Sequence, residues 1–200
     1  MSSYIIGLTG GIACGKTNLT DALKAAGAPV VDADEVSRQV TSDGGAALPA
    51  LREAFGDRIF SGESLNRKAL GALVFSNEEK RKQLNSLLHP VILSECDRLL
   101  SLIPGPAVYS VPLLYECGLE KSCREVWCAY IPQKEQIRRL MARDGITKKQ
   151  ALQKIRSQWP TLKKARLSHH VIRTDGTREE SAQKAVALWQ KTLQRLSDHQ

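Results

Sequence analysis

Near the start of the chain, Gly10-Gly11-Ile12-Ala13-Cys14-Gly15-Lys16-Thr17 has the spacing G-x-x-x-x-G-K-[ST]. The chemistry of that spacing is phosphate binding. Its glycines let consecutive backbone N–H groups, here from Gly11 to Thr17, curl around an anion. A helix starting at the end of the loop adds its positive pole. Lys16 reaches the β and γ oxygens of a nucleotide, and the Thr17 hydroxyl is a ligand for Mg²⁺. Cys14 lies inside the loop. A thiol at a helix N-terminus ionises more readily, so Cys14 is expected to be reactive and to be shielded by Mg-ATP.

Asp32 and Asp34 follow a short apolar run. In an open parallel sheet the ligand crevice lies beyond the carboxyl ends of the strands. Carboxylates there hold Mg²⁺ through water, accept a proton from an attacking hydroxyl, or cap a helix. Their spacing puts both on one side if the strand continues. Arg138, Arg139, Arg143 and Arg156 form a cluster whose planar guanidinium groups suit a transferring phosphoryl group. His89 precedes Pro90 at an expected helix junction, where a structural role outweighs catalysis. His169 and His170 are adjacent, so on a strand they face opposite ways and share no metal.

These residues need a frame. Tyr4–Leu8 reads as a buried parallel strand, followed by the glycine loop and a helix striped by Leu19, Ala22, Leu23 and Ala26. Pro29–Val31 is a second strand, which completes a βαβ unit. From about Glu35 to Leu102 the pattern is helical with no strand. Ser76–Glu79 resembles a capping box, and Pro90 is expected to open a further helix. Strands are expected at 107–111, 126–131 and 170–172, and helices at 133–143, 147–158 and after Thr177, with Thr147 and Gln150 as a capping box for the second and Thr177 with Glu180 capping the last. Trp127, Trp159 and Trp189 read as core or groove-lining.

Composition narrows the function classes. The 200 residues are 42% hydrophobic and 25% charged, an ordinary globular balance. No apolar run suits a membrane span, and the N-terminal residues lack the basic start of a secretory signal. A cytoplasmic protein is therefore expected. The five cysteines include no C-x-x-C pair, which disfavours a disulfide framework or zinc ribbon. The net charge of +8 is uneven. Residues 131–170 hold eleven of the 29 bases and only two of the 21 acids, Glu135 and Asp144. Such a surface suits an anionic partner. Its bases are not interleaved with aromatics apart from Trp159, which disfavours a nucleic-acid groove. N-K-x-D and D-x-x-G motifs are absent, which disfavours a guanine-nucleotide switch.

Several segments together resemble the dephospho-CoA kinase family, over most of the chain. Ile6–Ile12 leading into Gly15-Lys16-Thr17 is similar to its opening GLTGGIxxGK[ST]. Val30–Asp34 with Arg38 resembles V-[IV]-D-A-D-x-x-[AS]-R. Leu87-Leu88-His89-Pro90 matches a further motif, and Val111–Glu116 resembles V-P-L-L-[FY]-E. Arg143–Thr147 with Ile155, Arg156 and Gln158 resembles the lid pattern.

The resemblance implies an α/β P-loop NTPase fold of three layers, a five-stranded parallel sheet flanked by helices. It implies a single kinase domain with its core at about 1–35, 103–139 and 166–200. A helical acceptor-binding insertion would span about 36–102 and a mobile helical lid about 140–165. The implied reaction is ATP- and Mg²⁺-dependent phosphorylation of the ribose 3′-hydroxyl of dephospho-CoA, the last step of coenzyme A synthesis. Asp34 would be the base, Lys16 the phosphate lysine and Arg143 the lid arginine. Thr9, Arg38, His89, Pro112, Leu113, Leu114 and Glu116 would lie by the acceptor, and Thr17 with Asp32 by the metal. A kinase of another small acceptor, such as a nucleotide, is the alternative. The expected partners are these two small molecules, with no nucleic acid, membrane or obligate protein. The expected state is a monomer or weak homo-oligomer. One segment departs from the family's A-D-x-V-I-x-N-x-G: His169 and Thr174 replace its Asp and Asn, near where adenine is expected.

Overall fold

The structure is a computed structural model that describes residues 4–75 and 77–198. It divides into two compact units, residues 1–31 with 103–200, and residues 32–102.

The first unit is built on a sheet. Strands β1 (Ile5–Gly10), β2 (Val30–Asp32), β5 (Ala107–Ser110), β6 (Glu125–Tyr130) and β7 (His170–Arg173) lie in the order β2-β5-β1-β6-β7. β1 pairs in parallel with β5 and β6, and β6 in parallel with β7. Covered on both faces, β1 can be apolar at nearly every position. Ile6 and Leu8 point to one side and pack with Leu19 and Leu23 of α1 (Lys16–Ala25). Ala185 and Trp189 of α9 (Arg178–Ser197) join the same core. On the other side Gly7 leaves room for its neighbours. A Cβ there would sit 2.8 Å from Leu114 and 2.9 Å from the Cys123 sulfur.

The carboxyl ends of β1, β5, β6 and β7 are followed by residues 11–15, 111–116, 131–132 and 174–177. The phosphate loop thus leaves the sheet where a parallel fold gathers its ligand-binding loops. Helices α6 (Gln133–Asp144), α7 (Lys148–Arg156) and α8 (Thr161–Leu167) come between β6 and β7. The sequence pattern anticipated α6 and α7 and missed α8. Its seven residues, TLKKARL, are too few to show a helical stripe, and its fully buried position is a lysine, Lys164.

The second unit holds α2 (Ala33–Val40), α3 (Leu48–Phe55), α4 (Arg67–Phe75) and α5 (Glu78–Ser101). Two expectations fail here. A small hairpin of β3 (Phe60–Ser61) and β4 (Ser64–Leu65) interrupts the helices, turning at Gly62 with φ 65°. Two-residue strands are too short to show alternation. Pro90 opens no helix but sits inside the 24-residue α5. A mid-helix proline costs about 3 kcal/mol. Packing of α5 against α2, α3 and α4, with Cys96 and Leu100 buried, offsets that cost. The N-cap of α5 is Asn77, whose side chain accepts from Lys80 N–H at 3.0 Å. Ser76, the expected first member of that capping box, lies outside the described residues.

Candidate active site

The phosphate loop is shaped by its own backbone. Ala13 (φ 60°) and Gly15 (φ 79°) are left-handed on either side of Cys14, and Cys14 N–H returns to Gly11 O at 3.1 Å. Alternating hands turn successive N–H groups inward as an anion nest. A non-glycine residue in this region costs about 1–2 kcal/mol, so Ala13 is held by its surroundings.

Those surroundings come from distant sequence. Gln136 donates to Ile12 O at 2.8 Å, and Ile12 N–H donates to the Gln158 side chain at 2.9 Å. Thr174 donates to Cys14 O at 2.7 Å. Ile12 and Ala13 also pack against Leu140, Ala151 and Ile155. The segment expected to form a lid is therefore clasped to the tip of the loop. Gln136 was missed in the sequence; a glutamine on a polar-looking helix gives no signal until the fold buries it.

The Lys16 ammonium donates to Ser110 Oγ at 2.6 Å. Ser110 closes β5 and is fully buried. Its only trace in the sequence is a hydroxyl ending the apolar run Ala107–Tyr109. Thr17 is exposed in the first turn of α1.

The 111–116 loop is held from below. Thr9, fully buried, donates to Pro112 O at 3.1 Å. Lys164 donates to the same carbonyl at 2.6 Å and pairs with Glu116 at 2.8 Å. Glu116 Oε1 also accepts from Trp159 N–H at 2.8 Å. The Tyr115 and Trp159 rings stack, 6.3 Å apart. Leu114 is fully buried, while Pro112 and Leu113 are partly exposed. Glu116, expected beside the acceptor, is thus anchored inward to α8.

The basic segment neutralises itself in part. Glu135 binds Arg138 at 2.6 Å and Arg139 at 3.0 Å, and their hydrogen bonds pull its carboxyl down to about 2. Arg139 also donates to Thr174 O at 2.7 Å. Asp144, likewise pulled down to about 2, binds Arg143 at 2.8 Å and Lys154 at 2.7 Å. Arg143 remains exposed, as does Arg156.

In the second unit the aspartates separate. Asp32 caps α2, its Oδ1 accepting from Asp34 N–H at 2.9 Å and Glu35 N–H at 3.3 Å. Asp34 is exposed in the first helical turn. The strand does not continue past Asp32, so the two carboxylates are not the pair on one strand side that their spacing suggests. Arg38 is one turn further along, its Nε bonded to Asp34 O at 3.1 Å. Arg67, unnoticed in the sequence, donates to Arg38 O and Thr41 O, both at 3.2 Å, at the C-terminal end of α2. His89 is exposed in the middle of α5, not at a helix junction.

Cys14 reverses its expectation. Its thiol is turned into the core, 1% exposed and 3.7 Å from Thr161 Oγ1, and burial pushes it up. Desolvation overrides the helix pole. Alkylation of the native protein is expected to modify exposed Cys117 first and to leave Cys14 untouched, with or without Mg-ATP. Peptide mapping checks this; faster labelling of Cys14 that Mg-ATP suppresses would overturn it.

Comparison with known proteins comes down on one family. The profile of the dephospho-CoA kinase family matches residues 4–180. A dephospho-CoA kinase from Geobacillus kaustophilus (strain HTA426) is 40% identical over 189 residues, 92% of this chain and 94% of that one. Among solved structures, a Thermus thermophilus protein superposes with a TM-score of 0.78 at 30% identity, covering 96% of this chain and 99% of that one. A dephospho-CoA kinase from Campylobacter jejuni has the same fold, with a TM-score of 0.72 at 21% identity over 96% of this chain and 98% of its own.

Proposed function

The chain belongs to the dephospho-CoA kinase family, and from that membership we propose how its residues share the transfer of the ATP γ-phosphoryl group to the 3′-hydroxyl of dephospho-CoA. The observation that carries this reading is the phosphate loop, with Lys16 aligned on Ser110 at 2.6 Å. A lysine tethered in this way meets the β and γ oxygens without first being ordered, so less entropy is lost on binding. Asp34 accepts the proton of the attacking hydroxyl as its oxygen bonds to the γ-phosphorus. The bond from that phosphorus to the β–γ bridging oxygen breaks, and ADP leaves. Arg143 exchanges Asp144 for the transferring phosphoryl group, and a closed 140–165 segment keeps water from the γ-phosphate.

Thr17 and Asp32 are the residues proposed for Mg²⁺. Both offer hard oxygen, and a nucleotide-bound Mg²⁺ takes most of its ligands from phosphate and water. When bound, Mg²⁺ neutralises charge on the phosphates. Arg38, His89, Pro112 and Leu113 face the acceptor in this reading. Thr9, Leu114 and Glu116 act one step back by holding the 111–116 loop. Among the described residues no helix is long and apolar enough to cross a membrane.

Purified protein with ATP, Mg²⁺ and dephospho-CoA is expected to yield ADP and a product carrying a new 3′-phosphomonoester by ³¹P NMR. Chelation by EDTA is expected to abolish turnover. Unchanged turnover in EDTA would remove the metal from the reading. ATP binding without turnover would redirect the search to another small acceptor.

A further inference from the structure

We infer that Gln136 and Thr174 are positioning residues for ATP, each fixing one of the two left-handed turns that give the phosphate loop its shape. The inference rests on the reading of that loop as the ATP site and deepens it.

The geometry is the same at both turns. The φ angle of a residue is set by the orientation of the rigid peptide plane before it. Ala13 has φ 60° and Gly15 has φ 79°, so the planes that matter carry the carbonyls of Ile12 and Cys14. Those are the carbonyls that remote side chains hold. Gln136 donates to Ile12 O at 2.8 Å, and Thr174 donates to Cys14 O at 2.7 Å. A carbonyl tied to a buried donor does not swing toward the bound anion, where its negative end would repel phosphate. Both donors are almost wholly buried, at 2% and 3% exposed, so a side chain without the donor leaves a carbonyl unsatisfied.

Both side chains also lie against the loop backbone. A Cβ on Gly11 would run into Gln136 and Thr161, and one on Gly15 would sit 3.6 Å from Thr174. Residue 11 is an x position of the G-x-x-x-x-G-K spacing, so phosphate binding does not demand glycine there. The close seat of Gln136 and Thr161 does. Helix α6 serves both turns, through Gln136 directly and through Arg139, which donates to Thr174 O at 2.7 Å and is itself held by Glu135 at 3.0 Å.

Steady-state kinetics and calorimetry test this. Thr174→Val keeps the branched shape and removes the hydroxyl. The KM for ATP and the Kd of Mg-ADP are expected to rise roughly tenfold, while the KM for dephospho-CoA stays within about twofold. Thr174→Ser keeps the donor and is expected to restore the wild-type KM for ATP. A merely structural role would not separate the two substrates in this way. Gln136→Met, which removes the other donor at similar size, is expected to give the same split, and it carries the test if Thr174→Val does not fold. An unchanged ATP KM and ADP Kd in the folded variants would overturn the inference. So would an equal rise in both KM values, or a Thr174→Ser variant as impaired as Thr174→Val. A wild type that bound no Mg-ADP would overturn the ATP reading of the loop first, and the inference with it.

Discussion

Asp34→Asn is expected to lower kcat by roughly 10² or more, the usual worth of a positioned general base. The amide matches the carboxylate in size but takes no proton at neutral pH. Folding should survive, because α2 is capped by Asp32 and not by Asp34. Asp34 is exposed, and Glu35 keeps an acid in the first turn. What is lost beyond the base is one favourable charge near a helix N-terminus, about 0.3–1 kcal/mol. The informative measurement is kcat alongside ATP affinity and the melting temperature. A collapse in kcat with the other two preserved assigns the base. Full activity would move the role to Asp32 or to no residue. Asp32→Asn is a useful partner, since Asn caps helices as well as Asp. Its effect should appear in Mg²⁺ dependence more than in stability.

Lys164→Met is expected to destabilise the fold by about 3–5 kcal/mol, the cost of leaving a buried charge without its partner. Lys164 is fully buried, and its ammonium serves two acceptors, Glu116 and Pro112 O. Removing it strands the Glu116 carboxylate, whose Oε2 is already buried without a hydrogen-bond partner among the described residues. It also releases the Pro112 carbonyl. The double variant Lys164→Met with Glu116→Gln should recover much of the loss, because a buried ion pair replaced on both sides is often near neutral. Urea unfolding of wild type, both single variants and the double variant checks this. Additive losses in the double variant would mean that the two residues act separately. A loss under 1 kcal/mol for Lys164→Met would mean the pair is far more solvated than its burial indicates.

The basic segment shows that a charge count does not separate bases that meet a ligand from bases paired within the fold. Eleven bases between 131 and 170 suggested an anionic ligand surface. Of these, Arg138, Arg139, Arg143, Lys154 and Lys164 have carboxylate partners within the fold. Three of these pairs lie within α6; Lys154 with Asp144 joins α7 to α6, and Lys164 with Glu116 joins α8 to the 111–116 loop. Glu135 and Asp144 are few, yet each serves two bases.

Local sequence was enough to identify the phosphate loop, the βαβ start, the sheet strands and the two capping boxes at Thr147 and Thr177. Each of these is set by residues a few positions apart: glycine permits a left-handed turn, threonine reaches the third N–H, apolar runs pair as buried strands. Only the tertiary structure decided which side chains those elements would meet. Ser110 became a partner of Lys16, Gln136 and Gln158 became clasps on the loop, and Glu116 paired with Lys164. Pro90 stayed inside a helix because neighbours packed around it, and Cys14 lost its expected reactivity because the core closed over its thiol. In each case the deciding energy is desolvation or packing by residues remote in sequence, which no local spacing records.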